Sequence, residues 1–175
     1  MKRGNKPQSV ERSEFIERVL EIKRVARVVK GGKRVRFRAL VVIGDEKGRI
    51  SYGVGKAADV SGAIAKAVLA AKKGVINIFI KGTTIPYMVR TKYKSAAVLL
   101  KPAPVGTGVV AGSSMRVVLE LAGVKDVVGK ALGCKNKLSN TMATIRALSM
   151  LYDPKELISM RGKKFVTHRL PEADK

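Results

Sequence analysis

At 175 residues the chain is long enough for one ordinary domain or two small ones, and its formal net charge of +23 lies far from ordinary globular balance. A hydrophobic content of 46% excludes a disordered basic tail, so the cations decorate a folded core. One Cys and one His exclude a disulfide framework, a CxxC pair or a zinc cluster built within the chain. Such a charge points to nucleic acid or an anionic membrane surface. No apolar run approaches the roughly 20 residues of a membrane span, and Met1 to Ser9 has no signal-peptide apolar region. A soluble intracellular protein without a membrane partner is expected, and the lone Cys134 suits a reducing compartment.

Residues 1–14 are polar and charged and read as a mobile basic arm. Phe15, Val19 and Ile22 fit a helical face, yet the segment runs straight into a strand expected from about Leu20 to Val29. Lys23 to Arg38 then carries eight basic residues and no acid. Its β-branched arms flank Gly31-Gly32, which predicts a hairpin whose two-residue Gly-Gly turn supplies positive φ angles. On the second arm, Arg34, Arg36 and Arg38 share one face, and Val35, Phe37 and Ala39 the other. A like pair of charges at 4 Å costs about 1 kcal/mol even in water, so eight of them on a ribbon call for a polyanion. Aromatic residues make up only 5%, so shape and phosphate recognition of structured RNA fits better than base stacking.

The second strand is expected from Lys33 to about Ile43, a turn at Gly44 to Gly48, and a third strand from Arg49 to about Val54. Ser51, Gly53 and Gly55 leave one face of that strand open to close packing. A helix follows, capped by Asp59 or Ser61 and stopped at Gly74. A second unit is predicted from Val75, opening with a strand from Val75 to Ile80. Tyr87 to Tyr93 and Ser95 to Leu100 read as two more strands, the latter buried and central. A Gly- and Pro-rich loop from Lys101 leads to a helix at Met115 to Ala122, capped by Ser113 or Ser114 and stopped by Gly123. A strand from Val124 to Leu132 and a helix from Asn136 or Ser139 to about Leu151 complete an α/β sandwich. The domains are thus residues 15–74 and 75–152, with a charged, irregular tail at 153–175.

The chemical motifs are few. Gly53-Val54-Gly55-Lys56 lacks the spacing of a phosphate loop, and reads as a strand end whose Lys56 meets a phosphate. The Gly106 to Arg116 loop resembles the phosphate loop of the galactokinase–homoserine kinase group, but no set of acids for magnesium or a base accompanies it. His168 has no partner pattern, and Cys134 has no nearby His or Asp. No catalytic residue, metal site or cofactor is expected.

Val29-Lys30-Gly31-Gly32-Lys33, then Ala39-Leu40-Val41-Val42-Ile43-Gly44-Asp45, resembles small-subunit ribosomal protein S5. So do Gly53-Val54-Gly55-Lys56-Ala57, Lys101-Pro102-Ala103-Pro104-Val105-Gly106-Thr107-Gly108, Ala111-Gly112, Arg116 to Gly123, and Ala143-Thr144. These pieces span about Phe15 to Leu151 in the family's own order. The chain departs from the family pattern at Ser113, Lys137 and Met142. The resemblance implies an α+β protein. A first domain like a double-stranded-RNA-binding domain, three strands backed by a helix, is followed by a two-layer sandwich with a left-handed β-α-β crossover. It implies a cytoplasmic or organellar ribosome as location. It also implies binding to small-subunit rRNA, ribosomal proteins S4 and S8 as neighbours, and a place beside mRNA where it enters. A role in assembly and decoding accuracy goes with that place.

The expected rRNA-binding residues are Arg24, Arg27, Lys30, Gly31, Gly32, Lys33, Arg34, Arg36, Arg38, Lys47, Arg49 and Lys56. Gly106, Thr107, Gly108, Gly112, Arg116, Lys135 and Lys137 are expected to meet rRNA or a protein neighbour. The rival reading is a free double-stranded-RNA-binding protein outside the ribosome.

Overall fold

The computed structural model describes residues 15–160. The basic arm, His168 and most of the expected tail lie outside them. From Ile16 to Ile22 the chain is strand, not helix. β1 (Ile16–Val29) carries a β-bulge between Val19 and Glu21. Val19 opposes Val41 and Ile22 opposes Ala39, so two residues three apart share one face. The extra residue of the bulge thus imitates helical spacing.

β1 pairs antiparallel with β2 (Gly32–Gly44), and β2 with β3 (Arg49–Ala57). β4 (Ile76–Asn77) pairs with β3, so the strand expected to open the second unit closes the first sheet instead. α1 (Val60–Lys72) lies across one face of this sheet, over Ala39, Val41 and Ile43. It sits close because a Cβ at Gly53 or Gly55 would collide with the carbonyls of Ala67 or Ala63. Asp59 occupies its N-cap position, but its side chain makes no cap bond.

The second sheet has the order β5-β6-β8-β7: Val89–Tyr93, Ala96–Pro102, Val127–Gly133 and Val109–Val110. β7 and β8 are parallel and are joined through α2 (Ser113–Ala122). Gly112, not Ser113 or Ser114, holds the N-cap position of α2. Gly123 ends it at φ 92°, as its position after the apolar stripe predicts. Asn136 caps α3 (Lys137–Ser149) by accepting from the Leu138 N–H. α4 (Pro154–Met160) is a helix where the tail was expected to be irregular. β6 is central, as expected, but only Ala96, Val98 and Leu100 are buried; Ala97 and Leu99 face an uncovered side of the sheet.

The two halves share a core. Val42 and Ile50 of the first sheet, with Leu20 and Tyr52, pack on the face away from α1 into a cluster with Met115, Leu119, Ala143 and Leu148. The layers run α1, first sheet, α2 and α3, second sheet. The β2–β3 turn also completes the end of α2: the N–H groups of Glu46 and Gly48 donate to the carbonyls of Leu121 and Ala122, each at 3.0 Å.

Candidate nucleic-acid interface

β3 accompanies the hairpin only as far as the Phe37–Ala57 pair. Beyond it, residues 25–36 form a two-stranded arm projecting about 17 Å at ~3.4 Å per residue. The turn differs from expectation. Val29 pairs with Gly32, so Lys30 and Gly31 are the loop residues. Positive φ is confined to Gly32, at 128°, while Gly31 has an ordinary φ and open space around it.

Register divides the arm into two faces. On the front, Arg27 opposes Arg34, Val25 opposes Arg36, and Lys23, Arg38 and Lys56 form a row across three strands. The back carries the pairs Arg24–Phe37, Ala26–Val35 and Val28–Lys33. Arg24 and Lys33 are therefore on the opposite face from Arg27 and Arg34. Glu21 at the arm's base binds Lys23 at 3.4 Å and Arg38 at 3.5 Å. Arg24, Arg27, Lys30, Lys33, Arg34, Arg36 and Lys56 make no ion pair among the described residues, and all are exposed. A concavity of about 340 Å³ is lined chiefly by front-face residues, Val25, Arg27, Val29, Arg34, Arg36 and Lys56.

Two expected members lie elsewhere. Lys47 is in the β2–β3 turn, about 40 Å from the arm's tip along β2. There it lines a groove with Glu120 and Lys125 of the second half. Arg49 is held internally: its Nε donates to Asp45 Oδ2 at 2.6 Å and its guanidinium lies 5.1 Å from the Phe15 ring centre. Burial pushes the Asp45 carboxyl up. The Arg49 guanidinium and the N–H groups of Lys47 and Arg49 outweigh that and hold it below the ordinary carboxylate range.

The loop before α2 is organised by a residue that sequence reasoning missed. Asp126, 4% exposed, accepts the N–H groups of Gly106 and Gly108, each at 3.0 Å. The Gly108 N–H first, then the Thr83 hydroxyl, hold its carboxyl below the ordinary range. The available signal was an acid embedded in Val124-Lys125-Asp126-Val127-Val128, since an acid in an apolar strand needs partners. Thr107 closes the loop by donating to the Pro104 carbonyl at 2.8 Å. Exposed Arg116 and Gly112 line a groove with Val110, Val128 and Lys130. Lys135 and Lys137 do not join this group. They follow the far end of β8, about 20 Å from the Val127 end. Beside them, the Ser95 hydroxyl and the Asn136 N–H hold the Cys134 thiol below its ordinary pKa. Among the described residues no three His, Cys, Asp or Glu side chains gather to hold a metal, and no helix is long and apolar enough to cross a membrane.

A cationic hairpin on a four-stranded sheet, backed by one helix and followed by a β-α-β sandwich, agrees with family models. The model of the ribosomal protein S5 N-terminal domain matches residues 15–78, and that of its C-terminal domain matches residues 91–161. The chain belongs to the ribosomal protein S5 family. It is therefore an RNA-binding protein of the small ribosomal subunit, a component of the ribonucleoprotein that carries out translation. The S5 family is structural, and its members associate with the ribosome, binding rRNA and other ribosomal proteins.

Proposed function

We propose that this chain acts without catalysis, as an electrostatic and steric clamp on rRNA that supports subunit assembly and decoding accuracy. The observation that carries this reading is the projecting arm: its free cations cluster on a ribbon that no other part of the described chain covers. Arg27, Arg34, Arg36 and Lys56 neutralise phosphates on the front face, and Arg24 and Lys33 on the back. Lys30, Gly31 and Gly32 form the tip, where missing side chains let RNA approach the main chain closely. Lys23 and Arg38 are shared with Glu21.

The second half serves neighbours. Its loop presents Val105, 84% exposed, beside Gly106, Thr107 and Gly108, and Arg116 stands at the start of α2. An exposed apolar tip suits a protein contact better than RNA, so we assign this side to S4 or S8. Lys135 and Lys137 form a separate contact. We also propose that the chain lies beside mRNA where it enters the subunit. We propose two functional units that part after β4, because Ile76–Asn77 completes the first sheet, rather than at the expected boundary of 15–74 and 75–152; the basic arm and the tail flank them.

Co-sedimentation with small subunits at moderate salt tests the proposal. The wild-type chain is expected in the subunit fraction, and an Arg27→Gln/Arg34→Gln/Arg36→Gln variant largely outside it. A wild-type chain absent from that fraction but bound to free duplex RNA would favour the rival reading, a double-stranded-RNA-binding protein outside the ribosome.

A further inference from the structure

We infer that the concavity on the front of the arm holds one unpaired RNA nucleotide, its phosphate among Arg27, Arg34, Arg36 and Lys56 and its base against Val25 and Val29. This rests on the rRNA-binding reading above and names the RNA feature that the site selects. The four cations lining the concavity make no ion pair, whereas Lys23 and Arg38 in the row nearer the arm's base are engaged by Glu21. The free charge and the hollow therefore coincide.

The floor decides the ligand. Val25 and Val29 are half-buried and apolar, and on the front face they flank Arg27. A surface meeting only duplex backbone gains nothing from such a floor, because phosphate ridges rest on the rim. An unstacked base brings a flat apolar face to it, and guanidinium planes stack on bases without any aromatic side chain. About 340 Å³ is at the small end of the range for ligand clefts, roughly 300–1,000 Å³, and suits one nucleotide. Extruding a paired base costs its stacking, so a nucleotide already unpaired is taken most readily.

Fluorescence anisotropy with the full chain tests this, using two RNA hairpins of identical stem, one with a single bulged adenosine, at one fixed salt concentration. The bulged RNA is expected to bind at least about tenfold tighter. Val25→Arg fills the floor while adding charge, so it should abolish the preference without weakening duplex binding. Val29→Arg serves as an independent variant, with thermal melts showing that both remain folded. Equal wild-type affinity for the two RNAs would overturn the nucleotide site and leave the rRNA reading standing. Binding to neither would overturn both. A preference that survives both substitutions would also overturn the assignment.

Discussion

Arg27 and Arg34 stand directly opposite each other across the β1–β2 ladder, on one face and without an acid between them. Directly opposed like charges destabilise a sheet pair, by about 0.2–1 kcal/mol relative to neutral partners, and exposure puts this pair at the low end. On the rRNA-binding proposal above, RNA phosphates relieve this cost. Arg27→Gln/Arg34→Gln should leave the melting temperature unchanged or slightly raised. The plot of log affinity against log salt for RNA should flatten by about 0.7–0.9 for each phosphate that the variant no longer neutralises. A destabilised variant with an unchanged salt slope would mean that these arginines serve the fold.

The two glycines at the tip have separable roles. Gly32 has φ 128°, a conformation that side chains rarely adopt, so Gly32→Ala should cost about 1–3 kcal/mol locally and fray the arm. Gly31 has an ordinary φ and nothing within 4 Å of a built Cβ. Gly31→Ala should therefore leave the free protein as stable as before, or more so by about 0.4–1 kcal/mol. If RNA packs against this main chain, Gly31→Ala will still weaken association with the subunit. Urea unfolding beside co-sedimentation separates the two effects, and full association of Gly31→Ala would place the tip away from RNA.

Gly44 and Gly62 give a matched pair at the junction and in α1. A Cβ at Gly44 would collide with the Leu121 carbonyl, and neither backbone gives way cheaply. Gly44→Ala should lose about 1–3 kcal/mol and loosen the contact between the halves. Gly62 lies inside α1, and its built Cβ meets only the Ala57 side chain at 3.4 Å. Gly62→Ala should gain about 0.5–1 kcal/mol from helix preference. Chemical denaturation of both variants reads the two signs, and a neutral Gly44→Ala would show that the junction yields.

The hairpin and α2 are legible in the sequence because local rules determine them: alternation sorts the arm's faces, and Gly123 follows an apolar stripe. What local rules do not encode is partner choice. Ile76–Asn77 reads equally well as the first strand of one sheet or the last of another, and only tertiary packing assigns it to β3. The bulge at Val19–Glu21 is hidden for the opposite reason, since one extra residue gives a strand the period of a helix. In the candidate site, composition identifies the cations but not their pairing. Arg49 falls among the RNA-binding set by charge alone, although Asp45, four residues earlier across a turn, holds it. Lys47 and Lys56 are nine positions apart in sequence, yet they lie at opposite ends of β3.

Asp126 should give the loop before α2 a pH dependence. Its folded pKa lies below the ordinary value, held there by the Gly108 N–H first and the Thr83 hydroxyl next. A carboxylate depressed in the folded state stabilises it fully above the unfolded pKa of about 3.9, and the contribution fades as pH falls through the lower folded value. The Gly106 and Gly108 amides should thus be protected from hydrogen exchange at neutral pH and lose protection only in acid. Asp126→Ala should remove that protection at every pH, while Asp126→Asn, which keeps one acceptor oxygen, should retain part of it and lose the acid transition. The consequence extends to function, because Val105 is carried at the tip of the same loop. If Val105 meets a protein neighbour, Asp126→Ala will weaken that contact without touching the salt dependence of RNA binding by the arm. Exchange rates at Gly106 and Gly108 unchanged by Asp126→Ala would show that the turn holds its shape without the carboxylate.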